Sequence, residues 1–538
     1  MFTPTAEQKK LIDSSDSAVV IAGPGRGKTL TAIAAADTWA TAHPSRRVLF
    51  TSYSNTAVRR IAEVGGIQAQ RASLDFRTFH SVAFDVLADY GRFVGLQQPA
   101  QVLDKPAEHL AALEEEWPDD DSEYAAARHA YARRTGHVAF ADMIPLASAL
   151  LASSSTLCRA VQRRYGCLIV DEFQDTTAEQ TAFLRLLGGD GRLLAFGDPH
   201  QMIYESDFDS ARSRFVSTAQ WKSVDVTTFE GRNYRCAATD ILDFAEAVLH
   251  GERFSGHSGS VACDGMYANQ RRSYIALRCQ SIWKRFPGSS IGIIAPNSRT
   301  ERELAAELRA PKKGVKAAIP VHAVIEVDPA WADAFRLATF AASDYAREPN
   351  MERRRCFAVT LTALERASRR GTPPGIARLG EIEKLLSSSS KRKSALRDFL
   401  ASPQPGSVSD FAVRFAASLS GDKAFDAVGH RIEKSGVPAI RPIAGVEQFD
   451  TFRASRNPAG LHGAECWRAR TTMLSMYRAK GREFDHVIVV TDPRAHKKDA
   501  AEGELRRLHY VACTRARQTL TVLWNSSGIG DVLGPVLA

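Results

Sequence analysis

A glycine-rich segment near the N-terminus has the residue types and spacing that bind nucleotide phosphates. Residues 22–29 read Ala-Gly-Pro-Gly-Arg-Gly-Lys-Thr and lie between an apolar run and an alanine-rich stretch. Glycines let successive backbone N–H groups converge on phosphate oxygens, and the following helix adds partial positive charge. Lys28 is expected to reach the β and γ phosphates, and Thr29 is expected to hold Mg²⁺. The flanking strand and helix patterns favour this interpretation over a chance glycine turn.

Two adjacent acids supply the second half of this chemistry. Asp171 and Glu172 end the apolar run Cys-Leu-Ile-Val of residues 167–170. A buried strand that ends in two acids can place one carboxylate at Mg²⁺ and the other at a water molecule. We expect Asp171 to hold the metal and Glu172 to orient and deprotonate the attacking water. Alone, the pair is better explained as solvated acids at a strand end, but with the phosphate loop it predicts ATP hydrolysis.

Parallel strands are predicted to position both groups. Short apolar runs separated by helical patterns are typical of the buried strands of an α/β sheet. A first set of such runs covers residues 18–23, 47–51, 167–171 and 192–196. A second set, which has no phosphate loop of its own, covers residues 291–296, 486–490 and 519–524. Two sheets that share one loop predict an α/β fold with the ATP cleft between two domains.

Two segments of mainly helical composition interrupt these strands. The second of them contains basic clusters and the serine run 387–390, which is typical of a flexible loop. The predicted boundaries are 1–81 and 139–230 for the first α/β domain, 82–138 for the first insertion, 231–309 and 458–538 for the second α/β domain, and 310–457 for the second insertion.

The overall composition is compatible with a nucleic-acid partner and argues against several other classes. The 70 Lys and Arg residues exceed the 61 Asp and Glu residues, and the net charge of +9 favours a polyanion without identifying one. No apolar run approaches the ~20 residues that span a bilayer, and no signal peptide is visible, so no membrane contact and a cytoplasmic location are expected. The eight cysteines lack zinc-site spacing, which favours reduced thiols that bind no metal.

The sequence also resembles a known family. The phosphate loop and the string Asp-Glu-Phe-Gln-Asp-Thr of residues 171–176 resemble motifs I and II of UvrD/Rep/PcrA-like helicases of superfamily 1A. The other motifs of that family are matched, in family order, at residues 5–8, 50–57, 78–81, 197–204, 233–235, 477–485 and 510–517. The matches therefore frame almost the whole chain. The resemblance implies two RecA-like parallel-sheet domains that form the ATP cleft, with two mainly helical insertions.

The resemblance assigns roles to residues of these motifs. Gln8 is expected to contact adenine, Gln201 to sense the γ-phosphate, and Arg235 and Arg515 to act as arginine fingers from the second domain. For each arginine, a surface salt bridge is the alternative. The implied nucleotide-binding residues are Gln8, Gly23, Pro24, Gly25, Arg26, Gly27, Lys28, Thr29, Leu30 and Glu483. The implied DNA contacts are Tyr53, Asn55, Phe79, His80 and Tyr204, and simple packing is the alternative for each aromatic ring.

Three departures from the family pattern affect DNA handling more than ATP chemistry. Residues 206–209 read Ser-Asp-Phe-Asp where relatives usually have a stacking Trp followed by Arg-Gly-Ala. Tyr477 replaces the usual His of motif V, and Arg26 replaces a small residue in the phosphate loop. These changes bear on how bases are stepped and strands separated.

The resemblance predicts an ATP-dependent translocase or helicase that moves 3′ to 5′ on single-stranded DNA or a 3′-tailed duplex. The expected setting is DNA repair, replication or anti-phage defence, and a monomer is compatible with this activity. An alternative, implied by similarity to the helicase subunits of Gabija-type defence systems, is a DNA-sensing ATPase that regulates a partner nuclease and unwinds weakly. The chain ends soon after motif VI, so no appended nuclease domain is expected. A catalytically inactive DNA-binding scaffold is a further alternative, against which Lys28, Asp171 and Glu172 argue.

Overall fold

The architecture was analysed in a computed structural model of the chain. It describes residues 3–52, 73–103, 105–118, 120–203, 208–230, 233–236, 239–256, 258–267, 270–309, 322–323, 329–368, 376–387, 394–402, 408–435, 471–492, 502–525 and 530–537. The predicted flexible loop after Ser387 lies outside these residues.

The described strands are short, as expected for an α/β protein. In chain order they are β1 (Ala18–Ala22), β2 (Arg47–Ser52), β3 (Leu74–Thr78), β4 (Gln101–Leu103), β5 (His137–Ala139), β6 (Tyr165–Asp171), β7 (Arg192–Gly197), β8 (Val226–Phe229), β9 (Val261–Met266), β10 (Ile291–Ala295), β11 (His322–Ala323), β12 (Thr471–Ser475), β13 (Phe484–Thr491) and β14 (Ala516–Asn525).

Helices separate most of these strands. In chain order they are α1 (Ala6–Asp13), α2 (Lys28–Ala42), α3 (Phe79–Tyr90), α4 (Lys105–Glu114), α5 (Asp121–Thr135), α6 (Phe140–Ser153), α7 (Ser155–Arg164), α8 (Ala178–Gly188), α9 (Phe208–Lys222), α10 (Ile241–His250), α11 (Arg271–Arg285), α12 (Ser298–Arg309), α13 (Pro329–Arg347), α14 (Met351–Ser368), α15 (Ile376–Leu386), α16 (Ala395–Ala401), α17 (Val408–Ser420), α18 (Asp426–Ser435), α19 (Met476–Ala479), α20 (Glu502–Cys513) and α21 (Gly530–Leu537).

The first sheet brings the two halves of the predicted chemistry to one edge. Its strand order is β3-β2-β6-β7-β1-β8, and every pairing among these strands is parallel. All residues of β6 and β7 are buried, which explains why their sequences are continuous apolar runs rather than alternating ones. Since β1 and β6 flank β7 in the same direction, the segments that follow them meet at the carboxyl edge, where α/β sheets bind ligands.

The second sheet has the order β11-β12-β10-β13-β14-β9, again with parallel pairings throughout. This arrangement confirms the predicted α/β class with parallel sheets. The two-residue strand β11 lies inside the segment 310–457 that was predicted as a mainly helical insertion. Backbone pairing of His322 and Ala323 with β12 places them at the edge of the second sheet instead.

The chain forms two compact units. The first comprises Met1–Val82, Leu151–Val324 and His462–Ala538, and it contains both six-stranded sheets. The second comprises Ala83–Leu150 and Ile325–Leu461, so the two predicted insertions fall into one unit. The first of them also extends beyond the predicted end at residue 138.

The core of the second unit combines aliphatic side chains with large aromatic ones. Trp331, Phe335, Phe357 and Phe415 are fully buried in its core, and Leu113 of α4 packs into the same core. The unit is not purely helical, because β4 and β5 pair in parallel within it. A leucine from the first insertion therefore shares its apolar environment with four aromatic residues of the second.

A charged cluster reinforces the first insertion. Arg128 donates two hydrogen bonds of 2.7 Å to the two carboxylate oxygens of Asp142, which is 3% exposed. Its third nitrogen lies 3.4 Å from Glu108 Oε1. These bonds hold the pKa of Asp142 below its ordinary value although burial acts in the opposite direction.

Within the described residues, no single helix has the length and apolar character needed to cross a membrane. Helices α6 and α7 satisfy that test only when the bent pair is taken together, and then by length and composition alone.

Candidate active site

The phosphate loop joins β1 to α2 and depends on two glycines. Gly25 and Gly27 have φ angles of 72° and 76°, in the left-handed region that favours glycine. A Cβ at Gly25 would also lie 2.3 Å from Asn233 Oδ1, so a side chain is excluded by space as well as by conformation. The phosphate loop therefore packs tightly against Asn233, which lies in the segment that precedes the second sheet.

Lys28 opens α2 and is 9% exposed. Its Nζ donates to Ala22 O at 2.6 Å and to Gly23 O at 3.1 Å. The ammonium group is thus held over the loop by carbonyl groups of the loop itself. Pro24 is buried in the same loop, and Leu30 is half-buried in the first turn of α2.

Thr29 and Asp171 are brought together as the sequence predicts for a metal site. Thr29 Oγ1 donates to Asp171 Oδ2 at 2.8 Å. Burial, followed by the nearby Glu172 carboxylate, raises the pKa of Asp171 to about 6. A buried carboxylate that resists ionisation is stabilised by a cation, and hydroxyl and carboxylate oxygens are ligands that Mg²⁺ prefers. This donor set fits Mg²⁺.

Glu172 occupies a strained position next to the predicted metal ligand. Its φ of 57° lies in the left-handed region, which is costly for a residue with a side chain. Burial opposes its ionisation, but Lys28, Lys480, a hydrogen bond from Gln174 and Arg515 together hold its pKa below the ordinary value. Glu172 is therefore a carboxylate at neutral pH, as a general base must be.

Gln174 lies in the short turn that follows Glu172 and is fully buried. Its Nε2 donates to Glu172 Oε2 at 2.6 Å, and its Oε1 accepts from the backbone N–H of Asp198 at 2.9 Å. The side-chain amide therefore links the end of β6 to the end of β7.

The Asp198 carboxylate connects that edge to the second sheet. Asp198 Oδ2 accepts from Gln201 Nε2 at 3.0 Å and from the Tyr510 hydroxyl at 3.3 Å. Tyr510 belongs to α20, and burial followed by the Asp198 charge raises its pKa well above the ordinary value. The phenol is therefore protonated and serves as a hydrogen-bond donor.

Arg515 and Gln201, which were each expected at the γ-phosphate, contact each other. Arg515 is 3% exposed, and its Nη2 donates to Gln201 Oε1 at 2.9 Å. Its Nε donates to Val511 O at 2.8 Å, which fixes the guanidinium against α20. Nearby, Lys480 Nζ lies 2.5 Å from Asp175 Oδ1 and 2.6 Å from Gln201 O. Three cationic groups, including Lys28, therefore surround the Glu172 region.

Arg235 is held differently from Arg515. Its Nη2 lies 2.5 Å from Glu483 Oε1, and its Nη1 donates to Thr514 O at 3.1 Å. Glu483 also accepts from Arg517 at 2.8 Å. Arg235 therefore forms a salt bridge, but a largely buried one rather than the surface pair named as the alternative, with side-chain exposures of 19% for Arg235 and 8% for Glu483. Glu483 contacts two arginines.

Gln8 lies beside the phosphate loop and is 2% exposed. Its Nε2 donates to Arg26 O at 2.9 Å, and its Oε1 accepts from the Tyr234 hydroxyl at 2.9 Å. The Tyr234 backbone N–H also donates to Gly25 O at 2.7 Å. The Arg26 side chain forms an ion pair of 3.8 Å with Glu246 of α10.

The predicted DNA contacts are only partly within the described residues. Tyr53, Asn55 and Tyr204 lie outside them. Phe79 begins α3 and is 2% exposed, so its ring is enclosed by protein. His80 is half-buried, and burial lowers its pKa.

The motif strings contain three further site residues that sequence reasoning did not assign, namely Gln174, Asp198 and Tyr510. Gln174 bonds to Glu172 and Asp198 at the edge of the first sheet, and Tyr510 of α20 bonds to Asp198. Lys480 and Tyr234 were likewise quoted within motifs but given no role. The available signal was position inside a motif, which does not reveal which side chains face one another.

Two family models match the sequence. Residues 8–207 match an AAA domain, and residues 471–523 match the UvrD-like helicase C-terminal domain. The first match includes the phosphate loop, Glu172 and Gln201, and the second includes Lys480 and Arg515.

Curated relatives align with parts of the chain. The ATP-dependent DNA helicase UvrD2 of Mycobacterium tuberculosis (strain ATCC 25618 / H37Rv) is 25% identical over 398 residues, 72% of this chain and 51% of that protein. The ATP-dependent DNA helicase PcrA of Leuconostoc citreum is 23% identical over 247 residues, 38% of this chain and 33% of that protein. The ATP-dependent DNA helicase Rep of Escherichia coli (strain K12) is 24% identical over 276 residues, 43% and 41% respectively. The chain spans about half the length of these relatives, or less.

Proposed function

Because the chain belongs to the UvrD/Rep/PcrA-like helicases of superfamily 1A, we propose that it hydrolyses ATP to move along single-stranded DNA. The observation that carries the proposal is the contact of Arg515 with Gln201 within one buried network around Glu172. Phosphoryl transfer requires cations on the developing charge and a base at the attacking water. Arg515 and Lys28 are the proposed cations, and Glu172 is the proposed base.

The proposed hydrolysis assigns one task to each residue. The loop N–H groups and Lys28 bind the β and γ phosphates, and Glu172 accepts the proton of the attacking water. Gln201 and Arg515 stabilise the charge that develops on the γ-phosphate. Thr29 and Asp171 would hold Mg²⁺, which supplies charge neutralisation at the phosphate oxygens when bound.

Arg235 can join this reaction only if its guanidinium exchanges Glu483 for a phosphate oxygen. Such an exchange replaces one anionic partner with another, so its electrostatic cost is limited. We therefore include Arg235 among the catalytic residues and Glu483 as the group that holds it between cycles.

The DNA part of the proposal rests on the family and on charge. The curated relatives are named DNA helicases, and the net charge of +9 favours a polyanionic partner. By resemblance the motor moves 3′ to 5′, in repair, replication or anti-phage defence. A partner nuclease is a further proposal that follows from the similarity to Gabija-type helicase subunits.

The test measures ATP hydrolysis with and without single-stranded DNA, together with unwinding of duplexes that carry either a 3′ or a 5′ tail. Glu172→Gln removes the base and keeps the shape of the side chain, so turnover is expected to fall on the order of 10²- to 10⁴-fold. DNA-stimulated turnover with unwinding of the 3′-tailed duplex supports the autonomous helicase.

Other outcomes separate the alternatives. Stimulated hydrolysis without unwinding of either substrate would favour the DNA-sensing ATPase that needs a partner. Unwinding only from the 5′ tail would reverse the proposed direction. Absence of hydrolysis by a folded wild-type protein would leave only the DNA-binding scaffold.

A further inference from the structure

Gln174 uses both ends of its side-chain amide, and it does so without contact with solvent. Its exposure is 0%, its N–H donates to Glu172 Oε2 at 2.6 Å, and its carbonyl accepts from Asp198 N at 2.9 Å. Arg214 also donates to the backbone carbonyl of Gln174 at 3.3 Å. A buried amide with its donor and acceptor both satisfied has one allowed orientation, so the group it holds is fixed as well.

Gln174 holds the carboxylate of Glu172, the proposed general base, whose orientation decides whether it can accept a proton from water. Glu172 has a left-handed backbone, and its carboxylate must face the attacking water to remove a proton. A carboxylate on a flexible side chain loses catalytic efficiency when its geometry is only loosely defined. The bond from Gln174 fixes one of its two oxygens.

The side-chain amide of Gln174 is also connected, through Asp198, to Tyr510 of α20. Asp198 donates its N–H to Gln174 and accepts the Tyr510 hydroxyl at 3.3 Å. Asp198 is 1% exposed, so its position depends on these buried partners. The chain of bonds runs from Tyr510 through Asp198 and Gln174 to Glu172.

We infer that Gln174 is a positioning residue for Glu172 and that Tyr510 acts on the same carboxylate through Asp198. The inference rests on the proposed ATP hydrolysis and adds a coupling between the second sheet and the base. It explains why an amide is used at position 174. A carboxylate there would place two acceptors against each other, and an apolar side chain would leave both Glu172 and the Asp198 N–H without this partner.

The experiment compares DNA-stimulated turnover of Gln174→Met, Tyr510→Phe and the double variant. Gln174→Met keeps a side chain of similar length and volume but removes the hydrogen bonds to Glu172 and to the Asp198 N–H. We expect kcat to fall on the order of 10- to 100-fold. Tyr510→Phe removes one bond, and a decrease of roughly 3- to 10-fold is expected. KM for ATP and the Kd of a non-hydrolysable ATP analogue should stay within about threefold in each variant.

Coupling is read from the double variant. If both residues act through Glu172, then Tyr510→Phe has little further effect once Gln174 is replaced, and the double variant matches Gln174→Met within about twofold. Independent effects would instead multiply, which would overturn the connection to Tyr510.

Gln180→Met is the matched control for the cost of burying methionine in place of glutamine. Gln180 is 4% exposed, and its side chain completes the capping box of α8 rather than contacting Glu172. It should lower the melting temperature without a selective loss of kcat. Gln174→Glu keeps the size and the acceptor toward Asp198, so it is a second variant if Gln174→Met folds poorly. Its kcat is expected to fall at least as far as that of Gln174→Met.

Two results would count against the role of Gln174 in positioning Glu172. Gln174→Met that retains kcat within about twofold excludes positioning of the base. A lowered melting temperature with unchanged turnover, as expected for Gln180→Met, would make Gln174 purely structural. If the wild-type protein does not hydrolyse ATP, the proposed function itself fails. This outcome is separate from the two above, because it is measured on the wild-type protein before any variant is compared.

Discussion

The candidate ATP site and the core of the second compact unit, called the helical unit below because helices form most of it, are held in place by different forces. At the site, seven polar residues lie in one chain of hydrogen bonds between 2.6 and 3.3 Å, in which the backbone N–H groups of Glu172 and Asp198 form two of the links; they are Thr29, Asp171, Glu172, Gln174, Asp198, Gln201 and Tyr510. In the helical unit, Trp331, Phe335, Phe357 and Phe415 are fully buried against one another. Hydrogen bonds are directional and set orientation, whereas apolar packing depends mainly on area and volume. The difference implies that the site loses activity before stability, and the helical core loses stability before activity.

The largest effect is expected from truncating Trp331, which is 0% exposed. Trp331→Ala removes the indole from the aromatic core, and such truncations cost about 3–5 kcal/mol. Hydrogen exchange should therefore increase across α13, α14 and α17, while ATP turnover without DNA is retained. Met351→Ala, at an exposed position on α14, is the control and should leave exchange unchanged. Equal loss of protection in both sheets would remove the distinction between the two regions.

Lys28→Ala is expected to have the next largest effect, now on activity. In the proposed mechanism the ammonium group binds the β and γ phosphates, and removal of one such group costs on the order of 10²- to 10³-fold in turnover, about 2.7–4 kcal/mol. Unfolding measured by circular dichroism should change much less than in Trp331→Ala. The exposed Lys9 on α1 provides the control, and Lys9→Ala should have wild-type turnover. Turnover of Lys28→Ala near the wild-type level would contradict the assigned phosphate contact.

The smallest effect is expected at the N-terminus of helix α8. Thr177 caps α8 through its bond from the Gln180 backbone N–H at 3.2 Å. Thr177→Ala should lower the free energy of unfolding by about 1 kcal/mol, and Thr177→Ser should restore most of it. Denaturant titration measures both values, and turnover should be unchanged. A selective loss of turnover would mean that the cap also positions Glu172, and the contrast between site and scaffold would need to be redrawn.

Much of the site was accessible from the sequence because its residues lie next to recognisable strands. The apolar runs before Gly23 and Asp171 predicted two buried strands, and parallel strands bring their carboxyl ends to one edge. The Gly-Lys-Thr string and the acid pair then specified the chemistry. Periodicity and motif order were sufficient here, since each depends on neighbours in the chain.

Features that depend on distant side chains were not accessible in the same way. Burial of Phe79 and the bond of Arg235 to Glu483 arise from contacts that no local pattern specifies. Strand β11 has only two residues, too few for an alternating or continuous apolar pattern. Leu113 shares a core with Trp331, more than two hundred positions later in the chain. The sequence shows that both are apolar, but not that they meet.

The contacts of Lys28 with Ala22 O and Gly23 O have a consequence for nucleotide selectivity. A buried ammonium group without partners would be costly, and these carbonyls prevent that state in the absence of phosphate. An incoming nucleotide would therefore compete with these two carbonyl groups for the Lys28 ammonium group. Its affinity would depend on the difference between the ammonium–phosphate bonds formed and the ammonium–carbonyl bonds lost. A triphosphate offers more anionic oxygen to this competition than a diphosphate. In the proposed mechanism, these two carbonyl contacts therefore set a threshold of charge that favours ATP over ADP.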